Sequence, residues 1–462
     1  MNEPHILPSS FRDPSGFVFL RDGALCRQVN KIHSEHYDRF VESGLYDALV
    51  RDGSLVAHEE IGLDRAYSSD AYKVLRPEPV DFVSYPYEWS FSQLQDAALL
   101  TLRAQRIAMK HGMSLRDATA YNVQFRGARP VLIDTLSFEV LPEGRPWVAY
   151  RQFCQQFLAP LALMGFRDLR LGRLSLGHID GIPLDLAATL LPWRARLRPG
   201  LLMHLFLHAR SQRRHRDEGR SSTGRRQRDF GARAFQGLVD SLEKAVAGIR
   251  LRRTDRQWVD YYTRATHYSS QALEHKVALV TQFIDEAAPA TVWDLGSNTG
   301  LFGRIAAERG IQTVCLEMDP ACVEESYRRA RDNDEANLLP LVADFENPSP
   351  AIGWANEERA SLIERGPADL ALALALIHHL AISNNVPLGR IAEFLARVCL
   401  RLVIEFVPKQ DEKVQQLLRR RDDIFANYSQ QGFERAFGDW FDIQAAERIR
   451  GSERMLYLMK VR

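Results

Sequence analysis

The clearest structural signal in the chain is the turn Asp294-Leu295-Gly296-Ser297-Asn298-Thr299-Gly300. It follows the apolar run TVWDL and precedes an amphipathic stretch, which predicts a strand, a tight turn and a helix. Gly296 and Gly300 let the backbone approach a ligand, and Asn298 is one of the few non-glycine residues that tolerate a left-handed conformation. Because open α/β sheets bind ligands at the carboxyl ends of their strands, this turn is a candidate binding site.

The alternation of short apolar runs and amphipathic stretches continues toward the C-terminus. The apolar runs are QTVCLE, LLPLV, DLALALAL and RLVIEFV, and the chain closes with FDIQAAERI and RMLYLMKV across a short polar turn. Such alternation is typical of a doubly wound parallel sheet, and the closing pair predicts an antiparallel hairpin at its edge. We therefore expect an α/β, Rossmann-like domain with seven strands over residues 290–462.

Acidic residues end the next two predicted strands. Glu317 lies 23 residues after Asp294, where an acid can accept hydrogen bonds from both ribose hydroxyls. The third strand ends near Asp344 and Phe345, which can bind an adenine amino group and cover the ring. Dinucleotide sites need G-x-G-x-x-G, but Asn298 occupies the second glycine position, which disfavours a pyrophosphate. The pattern indicates an adenosine-bearing cofactor.

Together, these motifs resemble the class I S-adenosylmethionine-dependent methyltransferases over residues 290–462. The resemblance implies that S-adenosylmethionine is the cofactor, with its ribose on Glu317 and its adenine on Asp344. It also implies that the turn holds the methionine part, through Asp294, Gly296, Asn298 and Gly300. The alternative is an α/β domain whose glycines only make turns.

Two adjacent histidines, His378 and His379, follow the fourth strand, where the family faces its methyl acceptor. Methyl transfer is an in-line displacement that depends on alignment and exclusion of water, so a base is needed only if a hydroxyl must lose a proton. Either histidine has a pKa suited to that role, or one caps the following loop while the other packs. Glu405, at the end of the fifth strand, could line the acceptor pocket or be a hydrogen-bonded acid.

The extended motifs LALIHHLAI and EFVPK, with WVDYY ahead of the domain, also resemble a bacterial group that includes the nodulation protein NoeA. That resemblance implies a small-molecule or glycan acceptor, with a hydroxyl as the methylated group. Because Asn384-Asn385 lie near this site, an amino group is the alternative methyl acceptor. Side chains before the domain could form a lid over the cofactor or plain core, namely Trp258, Tyr261, Tyr262, His267 and Tyr268.

The N-terminal half, residues 1–209, has an α+β pattern. The predicted elements are the hairpin strands Phe17–Leu20 and Ala24–Val29, a helix over His33–Val50, a strand over Val80–Tyr85 and a helix over Ser92–His111. Further on, Asp117, Asn122 and Asp134 repeat the spacing of the catalytic Asp, metal-binding Asn and metal-binding Asp of protein kinases. This half therefore resembles kinase-like folds, and Asp117 and Asn122 as turn caps are the alternative.

The kinase pattern is incomplete. Thr135-Leu136 stand where D-F-G has Phe and Gly, no G-x-G-x-x-G precedes, and only Lys31 and Lys73 are candidates for the strand lysine. A phosphotransferase without that lysine and phosphate loop lacks both anchors on its nucleotide. We expect no metal site unless Asn122 and Asp134 hold Mg-ATP. Phosphoryl transfer and non-catalytic nucleotide binding are the alternatives to methyl transfer.

The composition bears on partners and location. The chain has 462 residues and a formal charge of +1, so no whole-protein field attracts nucleic acid or membrane. Residues 210–233 hold nine arginines and are expected to be a solvated linker, with a helical connector at 234–289. Scattered cysteines and the absence of a long apolar stretch favour a cytoplasmic protein with no membrane partner, and nucleic acid is disfavoured. Oligomeric state is left open.

Overall fold

The chain divides into two compact units in the computed structural model. The structure describes residues 4–210, 231–251, 270–419 and 422–462. The first unit is Met1–Thr254 together with Ile352–Arg359, and the second is Asp255–Ala351 together with Ala360–Arg462. The segment Ile352–Arg359 thus belongs to the first unit, although its sequence lies within the span expected for the C-terminal domain.

The first unit begins with an antiparallel sheet of five strands, β1 (His5–Ile6), β2 (Gly16–Arg21), β3 (Ala24–Asn30), β4 (His58–Ile61) and β5 (Ala71–Pro77). Their order in the sheet is β1-β2-β3-β5-β4. The predicted first hairpin is confirmed as β2 and β3. It turns at Asp22 and Gly23, which both have positive φ. Alternate side chains pack on the two faces of the sheet, as its period of two requires.

Two predictions for this part of the chain are wrong in detail. The single helix expected over His33–Val50 is two helices, Ser34–Glu42 and Leu45–Arg51, because Gly44 between them has a φ of 74° that favours glycine. The strand expected at Val80–Tyr85 does not form. Near its end the Gln124 side chain takes the place of a neighbouring strand, since the Ser84 N–H donates to Gln124 Oε1 at 2.8 Å and the Ser84 carbonyl oxygen accepts from Gln124 Nε2 at 3.0 Å.

The rest of the first unit is mostly helical. The predicted helix after the sheet is confirmed as Phe91–Lys110, and it begins where the Ser90 hydroxyl accepts the Gln93 N–H. Strands β6 (Met113–Leu115) and β9 (Phe138–Val140) pair, as do β7 (Val123–Arg126) and β8 (Arg129–Leu132). Among the described residues, the further α-helices of this unit are Tyr150–Phe153, Ala159–Phe166, Leu184–Leu190, Pro199–Leu201 and Ala232–Ala247, with π-helical turns at Cys154–Leu158 and Leu202–Leu207. This order of elements is the α+β arrangement expected for the first unit.

Ile352–Arg359 makes specific contacts inside the first unit. Glu358 accepts a hydrogen bond of 2.9 Å from Arg12 Nε. The Arg359 guanidinium lies over the Tyr121 ring, 4.5 Å from its centroid. These contacts complete a cleft of about 450 Å³ that Arg116 and Asp117 also line.

The second unit is built on a seven-stranded sheet. Its strands are β10 (Thr291–Leu295), β11 (Gln312–Glu317), β12 (Leu338–Val342), β13 (Ala368–Ala373), β14 (Cys399–Phe406), β15 (Phe441–Arg448) and β16 (Met455–Val461). The order is β12-β11-β10-β13-β14-β16-β15, and β16 runs in the opposite direction to the other six strands. The predicted doubly wound sheet and edge hairpin are confirmed. The strand order reverses at β10, which places a topological switch point at its carboxyl end.

Helices cover this sheet, so its central strands are apolar on both faces. The covering helices are Ser270–Ala287, Leu301–Ala307, Pro320–Asp332, Leu388–Val398, Glu412–Leu418 and Gln430–Gly438. Phe283 and Phe302 pack with Leu372, Val403 and Leu458 in one buried cluster. All five cysteines are buried free thiols. Within the described ranges, no helix is long and apolar enough to cross a membrane.

Candidate active site

The turn after β10 is held in a left-handed path. Gly296, Asn298 and Gly300 have φ of 76°, 51° and 81°. Asn298 thus adopts the conformation that its residue type tolerates. The N–H groups of Gly296 and Ser297 both donate to the Leu316 carbonyl oxygen, at 2.8 and 3.1 Å, which ties the turn to β11.

Arg304, a residue that the sequence analysis missed, fixes this turn from below. Its side chain is buried, and Nη1 donates to the carbonyl oxygens of Thr299 at 2.5 Å and Gly300 at 3.2 Å. Nη2 donates to the Ser326 carbonyl oxygen at 3.0 Å, and Nε pairs with Glu335 at 2.9 Å. Its position one helical turn after Gly300 is the only signal that the sequence offers for this role.

Asp294 lies beneath the turn and does not line the pocket described below. It is 2% exposed, and its Oδ2 accepts the Gly303 N–H at 2.9 Å. Burial raises its pKa to about 7, against the opposing effects of the Gly303 hydrogen bond and the Lys276 charge. Asp294 and Gly300 therefore shape the turn, and the structure does not bring them to the pocket wall.

Glu317 ends β11 and faces the turn. Its Oε2 accepts the Asn298 N–H at 2.8 Å and its Oε1 accepts the Asp319 N–H at 2.9 Å. Burial raises the pKa of Glu317, while these hydrogen bonds act in the opposite direction. Each carboxylate oxygen has further acceptor capacity, so the side chain is fixed in place and can still bind a ligand hydroxyl.

A pocket of about 370 Å³ opens where these elements meet. The turn supplies Gly296 and Asn298, the next two strands supply Glu317 and Asp344, and Phe345 adds an aromatic wall. The Phe345 ring packs edge-on against Phe394, with a centroid distance of 6.4 Å. The structure thus gathers five of the seven predicted cofactor residues at one site, together with His379, namely Gly296, Asn298, Glu317, Asp344 and Phe345.

The remaining wall of the pocket is the segment after β13, whose backbone is irregular. Ala375 adopts a φ of 52°, which is unfavourable for a residue with a Cβ, and the chain then forms a π-helical turn over His379–Ser383. Both features are typical of functional sites. They place His379, Ser383 and Asn384 on the pocket.

The two histidines have different surroundings. His379 is exposed at the pocket, whereas His378 is 2% exposed and its Nδ1 has no hydrogen-bond partner among the described residues. Their ring centroids are 4.2 Å apart. Burial and the neighbouring His379 lower the pKa of His378 well below 6.5, and the surrounding protein and Lys413 lower the pKa of His379. Both imidazoles are therefore neutral at pH 7.

Glu405 does not line the pocket. It is fully buried and accepts hydrogen bonds from Lys276 Nζ at 2.6 Å and from Arg454 Nη1 at 3.3 Å. Arg454 also pairs with Asp411 at 2.7 Å. Of the two interpretations of the sequence, the hydrogen-bonded acid is correct. Lys276 and Arg454 gave no signal in the sequence, because each is far from Glu405 along the chain.

In the first unit, the kinase-like residues Asp117, Asn122 and Asp134 lie together. Asn122 Nδ2 donates to Ser137 Oγ at 2.9 Å and lies 3.5 Å from Asp134 Oδ2. Burial and the nearby Asp134 raise the pKa of Asp117. The predicted spacing thus corresponds to a real cluster.

Asp134 is already paired with a cation, but with neither lysine that the sequence suggested. Arg27 on β3 forms an ion pair with Asp134. Burial alone would raise the pKa of Asp134, but Arg27 and Ser137 lower it below its ordinary value. Lys31 Nζ instead donates to the Ser69 carbonyl oxygen at 2.8 Å, and Lys73 pairs with Glu60 at 2.7 Å. Both candidate lysines are thus paired elsewhere, and Arg27 is the cation at Asp134.

Other predicted residues lie outside the described part of the chain. They are the lid candidates Trp258, Tyr261, Tyr262, His267 and Tyr268, and most of the arginine-rich segment at 210–233.

The strand order of the second unit, with its pocket at the switch point, is that of a class I S-adenosylmethionine-dependent methyltransferase domain. No protein-family profile matches the chain. It is 34% identical over 459 residues to the nodulation protein NoeA of Rhizobium meliloti (strain 1021), and the match covers 98% of this chain and 96% of that protein. The chain belongs to the NoeA family.

Solved structures also give partial matches. They include the bifunctional kinase-methyltransferase WbdD (TM-score 0.31, 15% identity, 44% of this chain and 41% of that chain), magnesium protoporphyrin IX methyltransferase from Synechocystis PCC 6803 with bound SAH (0.30, 15%, 45% and 100%) and N-methyltransferase NodS from Bradyrhizobium japonicum WM9 (0.30, 8%, 42% and 98%). The match to WbdD spans less than half of that protein.

Proposed function

We propose that the second unit transfers a methyl group from S-adenosylmethionine to a hydroxyl of a small molecule or glycan. The observation that carries this proposal is the pocket at the switch point, where the left-handed turn, Glu317, Asp344 and Phe345 meet. Two carboxylates that accept hydrogen bonds, beside an aromatic ring, fit the hydroxyl and amino donors and the flat base of an adenosine. When bound, S-adenosylmethionine supplies an activated methyl group.

Glu317 would hold the ribose hydroxyls, because backbone N–H groups already fix both of its oxygens. Asp344 would accept from the adenine amino group, and Phe345 would cover the base. The backbone of Gly296 and Asn298 would bound the methionine part. Asp294 and Arg304 act indirectly, by keeping the turn in its left-handed path.

His379 is the better candidate for the base, because it lies on the pocket wall while His378 is buried behind it. A neutral imidazole can take the proton of an acceptor hydroxyl as the methyl group is transferred. His378 would position His379 through ring contact. Ser383 and Asn384 would orient the acceptor from the same wall.

The test is calorimetric titration of the whole chain with S-adenosylmethionine, its demethylated product and NAD. We expect binding of the first two and not of NAD, and a loss of at least about tenfold in affinity for Glu317→Ala, the size expected for a hydrogen bond to a charged group. Glu447→Gln, an exposed acid on β15, is the control and should bind as the parent does. No binding of either ligand at millimolar concentration would reject the proposal.

Phosphoryl transfer by the first unit is the second candidate. The cluster of Asp117, Asn122 and Asp134 favours it. The ion pair between Arg27 and Asp134 opposes it, because the carboxylate that should bind a metal is neutralised. We therefore place the activity of the chain in the second unit.

A further inference from the structure

The first unit presents an apolar surface on the segment Trp193–Leu207. A 3-10 helix (Trp193–Leu197), a short α-helix and the π-helical turn form this segment. Five large apolar side chains are exposed to solvent, with exposed fractions of 74% for Trp193, 69% for Leu197, 55% for Met203, 53% for Leu207 and 39% for Leu202. Such a concentration on one short segment marks an interaction surface.

The segment is fixed to the unit by its other face. Ala195, Leu201 and Leu205 are essentially inaccessible to solvent. The Arg196 guanidinium lies over the Phe206 ring at 5.1 Å, which joins the first helix to the π-helical turn. The exposed side chains are therefore held outward by an anchored backbone. A helix with apolar side chains on both faces needs a second apolar contact.

The charge of this region is of one sign. Residues 186–210 contain four arginines and no Asp or Glu, and three further arginines precede the next acid in the sequence, Asp217. Arg196, Arg198 and Arg210 are exposed beside the apolar side chains. Because the whole chain carries only +1, this positive charge is a local feature.

We propose that Trp193–Leu207 binds the surface of an anionic membrane. The apolar side chains would enter the headgroup region, where Trp is favoured, and the arginines would face the lipid phosphates. Charge complementarity selects this partner over an apolar protein surface. The sequence predicts no membrane partner from its net charge and its lack of spanning segments. Neither property detects a local surface of this kind.

The experiment is co-sedimentation of the full chain with vesicles of about 40% phosphatidylglycerol in phosphatidylcholine, and with vesicles of phosphatidylcholine alone. We expect binding to the anionic vesicles that weakens as salt is raised. Trp193→Ser/Leu197→Ser should lower the partition coefficient at least about tenfold, since it removes two inserted apolar side chains. Arg196→Gln/Arg198→Gln should also lower it and reduce its dependence on salt.

The matched control is Trp354→Ser/Ile424→Ser, which removes side chains of similar size and exposure, 72% and 71%. It should bind vesicles as the parent does. Unchanged thermal unfolding of all three variants would show that they are folded. The proposal is overturned if the parent does not bind anionic vesicles, or if Trp193→Ser/Leu197→Ser binds them equally well. It is also overturned if that variant instead converts a dimer to a monomer in light scattering, which would make the surface a self-interface.

Discussion

Lys276 and Glu405 form an ion pair of 2.6 Å inside the second unit, with side chains only 2% and 0% exposed. Burial lowers the pKa of Lys276, while the Glu405 charge acts in the opposite direction. Removing the carboxylate with Glu405→Gln leaves a buried ammonium without its counter-charge. We expect a loss of about 3–5 kcal/mol in the free energy of unfolding, measured by urea denaturation.

The exposed pair Arg309–Asp285 provides the comparison. Its side chains are 34% and 56% exposed, so Asp285→Asn should change the free energy of unfolding by less than about 1 kcal/mol. Equal effects of Glu405→Gln and Asp285→Asn would show that burial does not set the energy of the inner pair.

Gly303 gives a second prediction, because a Cβ there would lie 2.4 Å from Cys315 Sγ and 3.2 Å from Asp294 Oδ2. Gly303→Ala should cost about 1–3 kcal/mol through overpacking and weaken cofactor binding by displacing the turn. Gly389→Ala is the control, since nothing lies within 4 Å of its added Cβ. For Gly389→Ala, the unfolding temperature should be unchanged or slightly raised, and the affinity for the cofactor should be unchanged.

Acid should destabilise the first unit through three histidines. Burial lowers the pKa of His33, His58 and His204 from 6.5 to about 4. Between those values the unfolded chain binds more protons than the folded one, so stability falls as pH falls through this window. Each histidine contributes up to about 3 kcal/mol of this loss by pH 4.

The dependence of the free energy of unfolding on pH can be measured by urea unfolding between pH 7 and pH 4.5. His204→Gln removes one titrating group, and its stability should fall less steeply with decreasing pH than that of the parent. An unchanged slope would mean that His204 does not titrate as its burial requires.

His379 gives a prediction for the pH profile of methyl transfer. Its pKa is lowered, so the neutral base persists below pH 6.5, and the acid limb of the rate should lie below that value. His379→Gln should abolish the limb and lower kcat about 100-fold or more, with cofactor affinity retained. A limb that survives in His379→Gln would exclude His379 as the base.

Mg-ATP should leave the thermal unfolding of the chain unchanged. Asp134 is paired with Arg27 and accepts the Ser137 hydroxyl at 2.5 Å, so its carboxylate is not available to a metal ion. A magnesium-dependent stabilisation by ATP that disappears in Asp134→Asn would contradict this prediction. It would also restore phosphoryl transfer as a candidate activity.

The sheet of the second unit could be predicted closely from the sequence. QTVCLE and LLPLV coincide with β11 and β12, because parallel strands covered on both faces form uninterrupted apolar runs. Most of the pocket could also be predicted, since Glu317, Asp344 and His379 lie at the end of such a run or within a few residues after it.

The charged partners could not be predicted. Arg27 and Asp134 are 107 residues apart, and Lys276 and Glu405 are 129 apart. Periodicity and spacing report only on neighbours along the chain, whereas these pairs are fixed by the packing of distant elements. The wrong strand at Val80–Tyr85 has a related cause, because the Gln124 side chain that binds its backbone is distant in sequence.

The segment Ile352–Arg359 limits how this chain could have been assembled. It completes the first unit, where Glu358 accepts from Arg12 and Arg359 covers Tyr121, yet it is encoded between two strands of the methyltransferase sheet. A gene fragment ending at residue 254 would therefore specify an incomplete unit. Recombination at that boundary would separate the first unit from the segment that completes it, which favours inheritance of the two units together.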